Sequence, residues 1–408
     1  MDATAPTDSR RIKGEEIARR FTIKPVRNGW MVPSQTRTVR YFVMLRHDHM
    51  TCTCPDFEMR HEKCKHIWAV EITLSKQIKD GKTTITKTVK MTYSQDWVNY
   101  DKAKTQEKGM FLKLLHDLCA DIPNPIYIFG RPKLPLSDMV FSSALKVYST
   151  FSLRRFMTDM QTAKDKGLID KVPHYSTVAL YMENEDLTPL LMNLIVKSSL
   201  PLKAVETNFA IDSSGFSTSR FDRWFSTKYG RYRDYKAWIK THLVCGVKTN
   251  IITSVKITDS HNADSPQFQE LVSKTAENFE LKEISADKAY SSKDNLKFID
   301  ELGADAYIPF KSNTVAKARQ PKFWKKLYHF FMFQREEFME HYHQRSNAET
   351  VFHMIKSKFG DSVRSKTQTA QINEVLLKVL CHNICVVIQE IHELGIEPIF
   401  AVEKVDDN

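Results

Sequence analysis

Glycine and proline are scarce in this chain, 12 and 15 residues among 408. With 42% hydrophobic residues, that is the composition of ordinary folded protein, long enough for two or three domains with real cores. Long hydrophobic runs are also missing: no stretch approaches the roughly 20 apolar residues of a membrane span. No early segment has the charged, then apolar, then small-residue order of a signal peptide. The expectation is a soluble, intracellular protein without internal repeats. Cysteine is sparse and odd in number, seven in all. Three of these, Cys52, Cys54 and Cys64, crowd together beside histidines, which suits a metal site better than a disulfide framework. Acidic residues are in deficit, 49 against 60 Lys and Arg, leaving a formal charge of +11. That excess makes nucleic acid the leading candidate partner, because clustered cations gain affinity by neutralising phosphates and releasing counterions.

The polar, basic first twenty residues read as a mobile arm. A strand over 38–45, the Cys/His cluster and a helix from His66 to about Ser75 suggest a small ββα unit. The Lys- and Thr-rich stretch 76–90 reads as a linker or exposed hairpin. Helices are expected over 100–119, 138–148 with Ser137 as N-cap, 153–166, and 176–183 with Ser176 as N-cap. A further short helix is expected from Thr188-Pro189. The spacing of the middle helices fits a helix-turn-helix arrangement, and equally a helical subdomain that only packs. Strands are expected over 208–211, 237–247 and 251–257, with Lys248-Thr249-Asn250 turning between the last two. Then come a helix over 265–279, a strand over 283–286, a helix over 293–302 and a strand over 307–309. The last helices span 335–359, stopped by Gly360, and 367–394, stopped by Gly395. The expected class is α/β, a mixed sheet covered by helices. The divisions are 1–80 for the Cys/His unit with its arm, 81–200 for a helical DNA-binding region, and 201–408 for the sheet domain.

Three acidic residues stand where a polar group is otherwise an odd choice. Asp212 ends the apolar run Asn208–Ile211, and Asp287 ends Ile284-Ser285-Ala286, each at the C-terminal end of a strand, where sheets expose ligand-binding groups. Glu349 lies within a helix. Tyr342, Arg345, Glu349 and Lys356, at offsets of 0, 3, 7 and 14, fall within roughly 60° of one another on an ideal helix. A solvated stripe would give the same spacing, since Arg345 and Glu349 form an i, i+4 pair. Two strand-end aspartates and a helical glutamate nonetheless supply the hard oxygen ligands that a pair of Mg²⁺ ions needs. Such a pair activates an attacking oxygen and stabilises a leaving one. Arg345 and Lys356 then sit to neutralise phosphates. Between the first two strands, Arg231, Arg233 and Lys236 interleave with tyrosines ahead of Trp238, which suits stacking on unpaired bases and equally a solvated hairpin. His242, Cys381, His382 and Cys385 read as structural.

The spacing Tyr342-x2-Arg345-x3-Glu349-x6-Lys356 resembles the YREK signature of an insertion-sequence transposase group. Asp212 and the block Asp287-Lys288-Ala289-Tyr290 look like that family's first and second acidic motifs. The likeness covers about 200–390. It implies an RNase H-like catalytic core, an acid triad of Asp212, Asp287 and Glu349 holding two Mg²⁺ or Mn²⁺ ions, and DNA contacts from Tyr342, Arg345 and Lys356. The implied activity is binding of double-stranded element ends, metal-dependent phosphodiester cleavage and transfer of the 3′ end to target DNA, by a homodimer in a prokaryotic cytoplasm at the nucleoid. Only 61 residues separate Asp287 from Glu349, so the large β-rich insertion of some relatives has no room. The rivals are a domesticated DNA-binding regulator that no longer cuts, and a structure-selective nuclease on the same fold.

Cys52-x-Cys54-x9-Cys64-x-His66 offers three thiolates and an imidazole, the ligand set of a closed tetrahedral Zn²⁺ site. His47, His49 and His61 compete for the fourth place. The spacing, with Trp30 and Cys54-Pro55-Asp56-Phe57, resembles the SWIM zinc finger, which implies a structural ion in a module that binds DNA or a protein partner.

Overall fold

The computed structural model describes residues 9–26, 29–35, 39–46, 49–79, 96–125, 133–218, 228, 238–310, 314, 321–398 and 400. Contacts divide the chain into two units, residues 1–91 and 92–408.

In the first unit the expected strand, Cys/His cluster and helix are present as β3 (Arg40–Arg46), β4 (His49–Cys52) and α3 (Lys65–Lys79), with a short α2 (Pro55–Arg60) between them. They are extended by β1 (Lys24–Val26) and β2 (Gly29–Pro33), giving an antiparallel sheet in sequential order. The basic arm is corrected in part, because residues 9–20 form a helix, α1 (Ser9–Arg20). Two contacts that composition hides explain it. Ile17 is fully buried, and Gly14 admits α3 so closely that a Cβ there would lie 2.5 Å from that of Trp68. The Lys- and Thr-rich stretch lies outside the described residues from position 80 onward.

The second unit opens with five helices: α4 (Trp97–Cys119), α5 (Leu136–Ser149), α6 (Leu153–Asp165), α7 (Tyr175–Met182) and α8 (Leu187–Ser199). The expected caps are corrected by two residues each. Pro135 precedes α5, and His174 caps α7, its ring nitrogen accepting from the Ser176 N–H. A five-stranded mixed sheet follows, built from β5 (Asn208–Ser217), β6 (Trp238–Gly246), β7 (Ile252–Asp259), β8 (Glu283–Ala286) and β9 (Asp305–Tyr307). Its order is β7-β6-β5-β8-β9. β5 runs antiparallel to β6 and parallel to β8. Between and after the strands come α9 (Phe268–Ala276), α10 (Lys293–Glu301), α11 (Lys322–Phe333), α12 (Arg335–Tyr342), α13 (Ser346–Phe359) and α14 (Gln368–Glu393). This is the α/β, RNase H-like sheet flanked by helices that the sequence implied.

Alternation along β5 sorts the two faces, as a period of two requires. Ala210 and Phe216 belong to the larger core, shared with α4, α5, α8, α13 and α14. Phe209 and Ile211 belong to a second core with α9, α10 and α11. The helix expected over 335–359 is interrupted: His343–Arg345 form a 3₁₀ turn between α12 and α13. α12 is fastened to the sheet at that point. Ser285 Oγ donates to the His341 carbonyl at 3.0 Å, His341 Nδ1 lies 2.9 Å from Glu283 Oε2, and its ring stacks on Tyr307. The two C-terminal helices end as expected, at Gly360 and Gly395 with φ of 86° and 67°.

α14 corrects one expectation. By length and composition it is apolar enough to cross a membrane, yet 83% of its apolar window is buried within the fold. It reads so because it is a core helix, apolar on nearly every side. Four polar residues on it each tie down a particular segment. Asn373 Nδ2 donates to the carbonyls of Met182 and Asn184. Glu374 accepts the N–H groups of Arg364 and Ser365. Lys378 donates to the carbonyls of Gly360 and Ser362. Asn383 accepts from the Ile252 N–H at 2.9 Å and donates to the Ile252 carbonyl and Ser198 Oγ at 2.7 and 3.0 Å. Cys381, His382 and Cys385 are buried, as their apolar surroundings imply.

Removing the Asn383 amide strands a fully buried backbone N–H and carbonyl. Each unpaired group costs about 1–3 kcal/mol, so Asn383→Ala is expected to destabilise the chain by roughly 2–4 kcal/mol, measured as a lowered urea midpoint.

Candidate active site and metal centre

The carboxylate site grows from strand register. Asn208 to Ile211 of β5 pair in parallel with Glu283 to Ala286 of β8. One step further, Asp212 and Asp287 leave neighbouring strands side by side, about 4.8 Å being the spacing of paired strands. β8 ends there, whereas β5 continues to Ser217 along β6, so both aspartates stand at an open sheet edge. The Asp287 carboxylate accepts from the Ala289 N–H at 3.2 Å and caps a 3₁₀ turn over Lys288–Tyr290.

Glu349 reaches Asp212 through Arg345. Arg345 Nη1 donates to Asp212 Oδ2 at 2.9 Å, and its Nη2 donates to Glu349 Oε1. Asp212 and Arg345 are each 18% exposed, Glu349 56%, so the glutamate forms the open side. Burial pushes the Asp212 carboxyl above the usual carboxylate range. The Ser213 N–H and Arg345 oppose that shift, and the charges of Glu349 and Asp287 reinforce it. The site therefore gathers more negative charge than its one arginine balances.

Tyr342 lies against Arg345, whose guanidinium carbon is 6.0 Å from the ring centroid. Lys356 stands two turns beyond Glu349 on α13. Its Nζ donates to Ser214 Oγ at 2.7 Å and lies over the Phe216 ring. Asp212, Ser214 and Phe216 share one face of β5; Arg345 and Lys356 meet that face directly, and Tyr342 and Glu349 pack on Arg345. The 3₁₀ turn replaces the single ideal helix on which the spacing was read, and Arg345 pairs with carboxylates. Trp238 sits opposite Ser217 on β6, half exposed and packed beside Gly215. Arg231, Arg233 and Lys236 lie outside the described residues. His242 is buried on the opposite sheet face and neutral, burial lowering its pKa to about 4.

The second candidate site lies in the first unit. Cys52 ends β4, Cys54 precedes α2 with Pro55 at its first turn, and Cys64 and His66 open α3. All four are buried, and their donor atoms lie within 4.8 Å of one another. His66 Nδ1 is 3.9 Å from both Cys52 Sγ and Cys64 Sγ. Donors at 2.0 to 2.3 Å around one zinc ion have tetrahedral N–S and S–S edges of about 3.5 to 3.8 Å, so the 3.9 Å contacts of His66 come near that spacing and the set is compatible with zinc. The cysteines are free thiols. Hydrogen bonds among the three thiols hold Cys54 below its ordinary pKa and push Cys52 and Cys64 above theirs, and a bound metal would take all three as thiolates. Of the competing histidines, His61 closes α2 in left-handed backbone; His47 and the His49 side chain lie outside the described residues. Among the described residues, no other group of three or more such donors is gathered this closely. The three carboxylates are therefore less tightly drawn together.

Comparison with known families finds two matches, one in each unit. Residues 203–384 match the transposase DDE domain, and residues 41–75 match the SWIM zinc finger. No curated protein and no solved structure gives a significant match. The chain thus contains a transposase DDE domain over residues 203–384, preceded by a SWIM zinc finger over residues 41–75.

Two outcomes follow. The purified chain is expected to hold about one zinc ion, lost in Cys54→Ser and Cys64→Ser; full zinc content in both variants, by atomic absorption, would exclude this ligand set. For Asp212 the sign is set by its raised pKa: its charge subtracts from stability above that pKa, and the subtraction fades as pH falls through it. Asp212→Asn should therefore maintain or raise the thermal midpoint at neutral pH, and a clear fall would contradict the charge balance.

Proposed function

We propose that the protein is a transposase that binds the ends of its own element, cleaves each 3′ end and joins the freed end to target DNA. The observation that carries this reading is the parallel β5/β8 register, which sets Asp212 beside Asp287, with Arg345 linking Asp212 to Glu349. Three carboxylates with surplus negative charge suit hard divalent cations. Asp212, Asp287 and Glu349 would hold two Mg²⁺ or Mn²⁺ ions, which supply Lewis acidity at the scissile phosphate and lower the pKa of the attacking oxygen.

The chain's own residues bind and orient DNA. Arg345 holds Asp212 and Glu349 in place before cation and substrate arrive, then lies where the phosphate's charge needs a partner. Tyr342 stacks behind that guanidinium. Lys356 offers a second cation along β5. Trp238 presents an indole for stacking on an unpaired base, with Arg231, Arg233 and Lys236 gripping the backbone. In the first step water attacks phosphorus and the 3′ oxygen leaves as a hydroxyl. In the second, that hydroxyl attacks a target phosphodiester, so one bond forms for each broken and no external energy source is required. Two ends need two active sites, which calls for a homodimer on DNA. The helical region 81–200 supplies the contacts to element ends, and the zinc at Cys52, Cys54, Cys64 and His66 is structural. The place of action is a prokaryotic cytoplasm, at the nucleoid.

Asp212→Ala and Glu349→Ala should each lower end cleavage in Mg²⁺ to background while leaving end binding intact in a mobility-shift assay. Cleavage at wild-type rates in either variant would refute the assignment. Strand-joined products in the same reaction separate transposition from plain nuclease action.

A further inference from the structure

On the sheet face opposite Arg345, a chain of hydrogen bonds connects the two aspartates from behind. It begins at Asp212, whose Oδ1 accepts from the Ser213 N–H at 2.8 Å. The Ser213 side chain, pointing the other way as the next residue of a strand must, donates from Oγ to Asp264 Oδ1 at 2.8 Å. Asp264 Oδ1 also takes the Lys240 ammonium at 2.8 Å and faces His242 Nδ1 at 3.4 Å. Lys240 is held in turn by the Asn262 carbonyl at 2.9 Å, and His242 Nε2 by Thr258 Oγ1 at 2.9 Å. The next residue, Ser265, meets Asn295, whose Nδ2 lies 3.1 Å from Ser265 Oγ and 3.3 Å from the Ser265 carbonyl. The same Nδ2 donates to the Tyr290 carbonyl at 2.9 Å. Tyr290 closes the 3₁₀ turn that Asp287 caps.

Beyond Ile211 and Ala286 no ladder bond joins the two strands, so sheet pairing alone stops one residue short of the carboxylates it must position. Asn295 is 3% exposed and sits at the first turn of α10, its own N–H capped by Ser292. A buried amide with both Nδ2 directions committed is rigid. Lys240 holds Asp264 charged against its burial, so the hub acts as a fixed acceptor.

We propose that Ser213, Asp264 and Asn295 are positioning residues that fix the separation of Asp212 and Asp287, and with it the affinity of the carboxylate site for divalent cations. The proposal rests on the reading of that site as a metal site. Partners behind metal ligands set ligand orientation, and their loss typically weakens metal binding by about 10 to 100-fold.

The test uses the full chain and Mn²⁺ alone, with bound ion measured by electron paramagnetic resonance and Asp212→Asn as the reference for the site. Ser213→Ala and Asp264→Asn should each weaken Mn²⁺ binding by roughly 10-fold or more, with thermal midpoints close to wild type, while Ser213→Thr keeps the hydroxyl and restores binding. Because the first two act through one hydrogen bond, the double variant should bind no more weakly than the weaker single. Unchanged Mn²⁺ affinity in Ser213→Ala, or full additivity in the double, overturns the inference. If Asp264→Asn does not fold, Ser213→Ala and Ser213→Thr decide alone. A wild-type chain that binds no more Mn²⁺ than Asp212→Asn would remove the metal reading itself, a result distinct from a relay that has no effect.

Discussion

The parallel pairing of β5 with β8 is the constraint on which the carboxylate site depends. Asp212 and Asp287 are 75 residues apart in sequence, and four paired positions bring them to adjacent strand ends. A register slip of one residue would turn one of the carboxylates to the opposite face. That slip is resisted because β5 is apolar on both faces, Ala210 toward one core and Phe209 and Ile211 toward the other. The fold thus uses a strand buried against cores on both faces to fix the place of an acid.

Charge must then be managed at the end of that strand. Burying Asp212 beside two other acids is unfavourable, and the raised pKa records the conflict. Arg345 relieves it in part by bridging two of the three carboxylates. Such an arrangement favours any state in which more positive charge is supplied, which is what divalent cations and their bound phosphates require. α12 makes the bridge possible. Anchored through His341 to Glu283, Ser285 and Tyr307, it delivers the 3₁₀ turn carrying Arg345 to the end of β5.

The larger core serves the same end. α14 is almost wholly buried, and four of its polar side chains satisfy backbone groups of other segments, among them Arg364, Gly360 and Ile252. Lys378 secures residues 360–362, and Ser362 bridges to Ser217 at the tip of β5. The zinc unit follows a different economy. Its core is small and includes Cys52, Cys54 and Cys64 themselves, so the ligand cluster is also the packing centre, as suits a domain too small to depend on apolar burial alone.

The sequence by itself determined what local chemistry can encode. Asp212 and Asp287 stood out as acids closing apolar strands, Glu349 through its spacing from Tyr342, Arg345 and Lys356, and the Cys/His cluster through its crowding. Helices and strands were legible from periodicity, and Gly360 and Gly395 marked their helix ends. Tertiary structure decided the rest, because those features arise only when distant segments meet. α1 was hidden in a polar, basic segment whose helical state depends on Ile17 and Gly14 meeting α3. The interruption at 343–345 follows from the anchoring of α12 on the sheet, which periodicity does not register. Asp264, Ser213 and Asn295 carried no sequence signal, since a serine after an aspartate or an asparagine in a helix's first turn is commonplace. Their arrangement arises from alternation on β5 and from the closeness of α10, set by packing across the 81 residues of chain between Ser213 and Asn295.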